Sequence, residues 1–153
     1  MTTQPLVTAF MPVHNAEAFL VPALESVLAQ DYEPYEIVVC DDGSTDSTPE
    51  ILASYPAIRT IRQEHLGRAA ACNTAIEASR GDLLTSFDGD DLWPSSRLTL
   101  QARHLLENPE LGCVLGRQEW MNPPPWLGRD PVFDDLDGVP IGSAMFQREV
   151  FEA

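Results

Sequence analysis

The sequence has no lysine: all nine basic residues are arginine, set against 24 aspartates and glutamates, for a formal net charge of -15 over 153 residues. A chain this poor in positive charge lacks the basic footprint that recognition of a phosphate backbone requires, so no nucleic-acid partner is expected. The same deficit obstructs any phosphate ligand, which would enter a negative field unless a divalent cation or fixed donors reversed the sign locally. Long apolar runs are missing as well. Nothing approaches the roughly 18 uninterrupted apolar residues of a membrane span, and the start, MTTQPLVTAF, has neither the basic residues nor the apolar stretch of a secretory signal. A cytoplasmic protein without a transmembrane segment is the expectation. The three cysteines, Cys40, Cys72 and Cys113, are far apart, with no CxxC and no adjacent histidine pair. That spacing disfavours a structural zinc site and points instead to small buried thiols in a reducing compartment.

What is present is a regular alternation of short apolar runs and amphipathic segments. Hydrophobic residues make up 44% of the chain, enough for one globular domain spanning 1–153. Leu6 to Met11 and Glu36 to Cys40 read as buried strands, Ile58 to Gln63 as a strand nearer the sheet edge, and Leu83 to Phe87 as a fourth strand. Between them, Ala16 to Gln30 carries Phe19, Leu20, Ala23, Leu24, Val27 and Leu28 at helical spacing, with Asn15 as its N-cap. Pro22 inside that helix should kink it or split off its first turn. A short helix follows Ser47 or Thr48, with Pro49 in its first turn. Gly67 opens an alanine-rich helix through Ser79, and Pro94 to Leu106 forms another. Strands alternating with helices in this way predict an α/β fold, a mostly parallel sheet covered on both faces. Beyond Leu106, Cys113 to Leu115 is short and apolar, residues 120–131 form a proline-rich loop, and Ile141 to Gln147 reads as a final strand.

In such sheets ligands sit outside the carboxyl ends of the strands, and four strand ends here carry polar residues. The first ends in Pro12, Val13, His14 and Asn15. The second runs into Asp41-Asp42-Gly43-Ser44-Thr45, where Gly43 permits a tight turn, the hydroxyls offer donors and an aspartate can accept from a base or ribose. The third leads to His65, Gly67 and Arg68 at a helix start, where backbone N–H groups and a guanidinium suit a diphosphate. The fourth ends in Phe87-Asp88-Gly89-Asp90-Asp91. Carboxylates crowded at a strand end can share a hard divalent cation, Mg2+ or Mn2+, which also bridges to substrate phosphates. Each motif has a plainer reading as a solvated turn or helix cap; a lone DxD arises by chance in acidic chains, and the placement at a strand end is what raises it.

In order and spacing, PVHNAEAFLVPALESVLAQDYEPYEIVVCDDGSTDSTPEIL, IRQEHLGRAAACNTAIEASRGDLLTSFDGDDLW and IGSAMFQREVFE resemble the nucleotide-sugar half of GT-A fold inverting glycosyltransferases of family 2. The resemblance runs from about Leu6 to the last residue. It implies a Rossmann-like nucleotide-binding part over 6–106, and over 107–153 the start of an acceptor-side region. It also implies a nucleotide-diphospho-sugar donor, with uridine as the family-level base, and a glycan or other hydroxyl acceptor. The implied donor-binding positions are Pro12, Val13, Asn15, Glu17, Asp42, Ser44, Gly67, Arg68, Asn73, Asp88, Gly89 and Asp90. Of these, Asp42 would accept from the base, and Asp88 or Asp90 would lie near ribose and sugar. Asp90 and Asp91 jointly are the implied metal ligands.

Two departures bear on these expectations. Ala71-Cys72-Asn73 stands where the family commonly has Ala-Arg-Asn, so an arginine near the nucleotide is missing, with Arg68 a candidate to replace its charge. The general base that inverting transfer needs is expected beyond Ala153; Asp134, Asp135 and Asp137 do not match its position. A non-catalytic nucleotide-sugar-binding fragment is therefore the alternative, with apolar surface exposed for self-association. A nucleotidyltransferase would share the strand-end aspartates, but PVHN lacks a glycine- and basic-rich phosphate loop.

Overall fold

The computed structural model describes residues 4–116 and 143–152. The proline-rich stretch 120–131, the aspartates 134, 135 and 137, and Ile141 lie outside them. In chain order the elements are β1 (Val7–Val13), α1 (Leu20–Leu28), β2 (Tyr35–Asp42), α2 (Thr48–Ala53), β3 (Arg59–Gln63), α3 (Arg68–Ala78), β4 (Leu83–Ser86), α4 (Arg97–Glu107), β5 (Cys113–Leu115), β6 (Ala144–Gln147) and α5 (Glu149–Glu152). The six-stranded sheet has the order β3-β2-β1-β4-β6-β5. β1 pairs in parallel with β2 and β4, and β2 with β3, while β6 runs antiparallel to both β4 and β5. The α/β, mostly parallel sheet expected from the sequence is what the chain forms, and β3, whose alternation marked it as peripheral, is an edge strand.

Strand periodicity divides the core in two. Val7, Ala9, Met11 and Val13 of β1 face α1, α2 and α4, where Leu20, Leu24, Leu52, Leu98 and Ala102 complete the larger cluster. The alternate residue Phe10 turns the other way and joins Val38, Cys40 and Leu84 against α3, as a period of two requires. The face of α3 buried there consists of Ala71 and Ala75. Small side chains let this helix lie close over the strands, bringing its N-terminus to their carboxyl ends.

Two local expectations are corrected. The first helix begins at Leu20, not Ala16, and Asn15 does not cap it: its N-cap position is Phe19, with no side-chain cap bond. Residues 17–19 form a turn that runs into the helix, so Pro22 falls in the first helical turn, where its missing N–H leaves no bond unmade. Phe19, expected on the buried face, is 62% exposed. The cysteines are the second correction. Cys40 is buried, but Cys72 is only half-buried and Cys113 is exposed on β5, because that short strand closes the sheet as its other edge.

Just past the end of β6, Arg148 fastens that strand to the turn before β4. Its Nε donates to the Gly81 carbonyl at 2.6 Å and its Nη2 to Ser79 Oγ at 2.8 Å. Gly81 has no room for a side chain. A Cβ there would lie 2.5 Å from the Thr8 nitrogen and 2.8 Å from the Leu83 carbonyl oxygen, both main-chain atoms of the central strands. Gly81→Ala should therefore destabilise the protein by about 3 kcal/mol through forced backbone shifts, read as a lower urea midpoint at unchanged slope.

Candidate functional site

Along the sheet, β1 is followed by β2 and β3 on one side and flanked by β4 on the other, so the strand order reverses beside β1. A cleft of about 400 Å3 opens there, at the carboxyl ends of the strands, where ligands bind in sheets of this kind. Its walls come from Pro12 to Ala16 at the end of β1 and Phe19 beyond it, Asp42 as the last residue of β2, His65, Arg68 and Ala71 around the start of α3, and Gly89 and Asp90 after β4.

The β1 wall is held by an exchange of donors between two loops. Asn15 takes a left-handed conformation, φ 50°, which asparagine tolerates better than most residues, and turns the chain off the strand. The next amides are then capped from the 44–48 loop. Asn15 N donates to Ser44 Oγ at 2.9 Å, Ala16 N to Thr48 Oγ1 at 2.9 Å, and Glu17 N to Asp46 Oδ2 at 3.1 Å. The 44–48 loop is capped in return: Thr45 N donates to Asn15 Oδ1 at 2.8 Å and Ser47 N to Glu17 Oε2 at 2.9 Å. The Asn15 oxygen is thus committed to Thr45 instead of capping α1, whose first amide, Leu20 N, donates to the Ala16 carbonyl at 3.0 Å.

At the end of β2, Asp42 is 2% exposed, and its carboxylate accepts three hydrogen bonds from the protein beside a histidine ring. Oδ1 accepts from Leu66 N at 2.9 Å and Gln63 Nε2 at 2.7 Å; Oδ2 accepts from Gly67 N at 2.8 Å and lies 2.9 Å from His65 Nδ1. A carboxylate has about four acceptor positions. Burial pushes the Asp42 pKa up, but the hydrogen bonds from Leu66, Gln63 and Gly67 and the charge of His65 outweigh it, and the net direction is down. Gly43 makes this possible, since a Cβ there would lie 2.8 Å from the His65 nitrogen. His14 and His65 stack with ring centroids 4.1 Å apart, and each Nδ1 is within bonding distance of the Asp42 carbonyl oxygen, at 2.8 and 3.1 Å.

The acidic segment is less balanced. Asp88 Oδ1 accepts from Arg68 Nη2 at 2.6 Å. Burial, followed by the charges of Asp88 and Asp90, pushes the Asp91 pKa up against the opposing pull of Arg97 and Arg68. Arg97 lies over the Trp93 ring at 3.8 Å, and burial lowers its pKa to about 10, partly countered by Asp91. Among the described residues no group of three or more His, Cys, Asp and Glu converges as a complete metal cage. Asp90 and Asp91 are carboxylates of the type that a hard divalent cation takes singly or in pairs, its shell otherwise made of water and substrate phosphates. A cation there would offset the charges of Asp88 and Asp90, which add to burial in raising Asp91.

Of the residues singled out in the sequence, Pro12, Val13, Asn15, Asp42, Arg68, Gly89 and Asp90 meet at the cleft. Glu17 and Ser44 serve the loop exchange. Gly67 N–H is committed to Asp42, and Asn73 is exposed on α3. The Asp42 carboxylate, expected to accept from the base, already takes three bonds from the chain. Sequence reasoning missed Phe19 as a cleft residue; the signal was Pro22, whose place in the first helical turn puts Phe19 ahead of the helix.

With this geometry in place, comparison with known proteins is specific. A family model described as glycosyl transferase family 2 matches residues 8–151. The chain is 35% identical over 114 residues to a chondroitin synthase of Escherichia coli, covering 72% of this chain and 17% of that protein. It is 33% identical over 120 residues to the Escherichia coli UDP-Glc:alpha-D-GlcNAc-diphosphoundecaprenol beta-1,3-glucosyltransferase WfgD, covering 76% and 47%. The crystal structure of S. aureus TarS 1-349 superposes with a TM-score of 0.77 at 20% identity, over 95% of this chain and 48% of that one; TarS has also been solved with UDP and with UDP-GlcNAc. The mannosyltransferase PcManGT from Pyrobaculum calidifontis, in complex with GDP-Man and Mn2+, superposes with a TM-score of 0.66 at 30% identity, over 77% and 37%. The chain thus spans less than half the length of each of these relatives. No described helix is long and apolar enough to cross a membrane.

The buried Asp42 carboxylate makes the 65–67 turn pH-dependent in a defined sense. Its folded pKa is depressed, so its contribution is fully present above the ordinary carboxylate value and is lost as pH falls through the lower, folded value. The amide resonances of Leu66 and Gly67 should hold their shifts through the ordinary carboxylate range and move only below it. In Asp42→Ala they should be displaced at neutral pH.

Proposed function

Because the chain belongs to glycosyl transferase family 2, we propose that it is the donor-binding part of a metal-dependent glycosyltransferase that transfers a sugar from a nucleotide diphosphate with inversion. The observation that carries this is the cleft at the strand-order reversal, with His65 and Arg68 on one wall and Gly89 and Asp90 on the other. The nucleotide-sugar complexes of TarS and PcManGT support the same assignment of ligand class.

On this reading the nucleoside lies against the Pro12 to Asn15 wall and the diphosphate runs toward Asp90 and Asp91. Asp88 holds Arg68 in place beside the path, giving one fixed positive charge in a cleft that otherwise repels anions. A divalent cation held by Asp90 and Asp91 would neutralise the diphosphate and stabilise it as a leaving group. The interlocked 15–17 and 44–48 loops fix the donor's position before the acceptor arrives, which is where most of the orientational advantage of transfer lies. In the transfer itself an acceptor oxygen forms a bond to the anomeric carbon from the face opposite the phosphate. The bond from that carbon to the phosphate oxygen breaks, nucleoside diphosphate departs with the electron pair, and the acceptor's proton passes to a base. We assign that base to a residue outside the described ones.

Calorimetry on the intact chain tests the donor reading. Nucleoside diphosphate should bind about tenfold or more tightly with Mn2+ or Mg2+ than with chelator, and Asp91→Asn should abolish most of that difference. Equal affinity with and without the ion would remove the metal from the scheme.

A further inference from the structure

We propose that Arg68, paired with Asp88, keeps a bare divalent cation off the acidic segment, so that the ion is held there tightly only together with a diphosphate. This rests on the donor-binding reading above and adds to it an order of occupancy set by one guanidinium.

Arg68 is the first residue of α3 and reaches the segment that follows β4, where its Nη2 donates to Asp88 Oδ1 at 2.6 Å. Among the described residues that is its one hydrogen bond. Asp91 N donates to the Asp88 carbonyl at 3.1 Å, a turn that keeps the two ends of the acidic segment together around the guanidinium. Burial pulls the Arg68 pKa down, but the bond and charge of Asp88, followed by Cys72 and Asp90, push it up overall. Asp91, raised first by burial, has Arg68 among the charges that oppose the rise. The three carboxylates therefore have an exposed cation already among them. Arg97 is the more deeply buried, set over Trp93 and bonded to Gln101 and Thr85.

A divalent ion approaching Asp90 and Asp91 meets this positive charge along with the carboxylates, and one oxygen of Asp88 is committed to it. Like charges at that range oppose binding; the 61% exposure of the Arg68 side chain moderates the effect without removing it. A diphosphate reverses the sign of the same encounter. Arg68 lines the cleft, only its Nη2 is engaged among the described residues, and a guanidinium carries five donors in a planar fork. It can keep Asp88 and meet phosphate oxygens at once. Its repulsion of the ion and its attraction for the anion offset each other when the two arrive as a pair, and act unopposed when either arrives alone. The bare ion is therefore disfavoured, and once the diphosphate has left the ion is free to follow.

The test titrates the full chain with Mn2+ alone, followed by electron paramagnetic resonance of the free ion. A second titration, by calorimetry, adds whichever of UDP and GDP binds wild type more tightly, in Mn2+ above the dissociation constants of all the proteins compared. Arg68→Gln should bind bare Mn2+ about five- to tenfold more tightly than wild type, and the nucleotide about five- to tenfold more weakly, the scale of one partly screened charge. A merely structural lesion would weaken both. Arg68→Lys keeps the charge and should bind bare Mn2+ as weakly as wild type. Combining Arg68→Gln with Asp91→Asn should cancel the gain in Mn2+ affinity, which locates it on the acidic segment of this strongly anionic chain. Should circular dichroism show Arg68→Gln misfolded, Arg68→Met is read in the same way. Bare Mn2+ affinity that is unchanged or reduced in Arg68→Gln overturns the proposal. So does a gain that Arg68→Lys shares or that survives Asp91→Asn, and so does an unchanged nucleotide affinity; each of these leaves the donor site standing. Failure of wild type to bind either nucleotide with Mn2+ overturns both.

Discussion

Burying the ionised carboxylate of Asp42 at the end of the second strand obliges the chain to surround it with donors, and that obligation shapes the cleft. The carboxylate draws in the Leu66 and Gly67 amides, which sets the path of the chain into α3. It takes Gln63 Nε2 from the end of β3. Gln63 in turn accepts from Thr74 Oγ1 on α3 and Cys40 Sγ on β2, so one charge links the ends of two strands to the helix that covers them. The close approach exists because position 43 is glycine and the buried face of α3 is alanine. A larger residue at either place would separate the groups that the charge needs.

The opposite wall follows another rule. There the carboxylates of Asp88, Asp90 and Asp91 sit near one another with Arg68 and Arg97 as the neighbouring cations. Both cations are arginines, and a guanidinium keeps its charge when partly desolvated better than an ammonium does. Arg97 is the more buried and lies against Trp93, while Arg68 lines the cleft. Asp42 is satisfied by the fold, whereas in the 88–91 segment burial and neighbouring carboxylates leave the Asp91 pKa raised.

The strand and helix alternation, the parallel sheet and the convergence of strand ends were legible because they depend on periodicity and on local punctuation by Gly, Pro and Asn. The acidic segment was legible for the same reason, being contiguous. What escaped were bonds between distant segments. Asn15 has the right chemistry for a cap, yet its oxygen goes to Thr45, thirty positions on. Asp42 resembled a free strand-end acceptor, and only the folded chain places Gln63, His65, Leu66 and Gly67 around it. Phe19 fell at helical spacing but precedes the helix, because the turn after Asn15 delays its start. Cys113 reads as a buried thiol in an apolar run and becomes exposed because its strand is the last in the sheet.

The exchange of caps between residues 15–17 and 44–48 has a thermodynamic side. The same bonds that form the cleft wall also satisfy the amides leading into α1 and α2, so the wall cannot loosen without fraying two helices whose apolar faces belong to the larger core. Its conformational entropy is surrendered when the protein folds rather than when a ligand arrives. A ligand meeting this wall finds it already rigid, and the heat capacity change on binding should reflect the surface the ligand covers and little refolding of the protein.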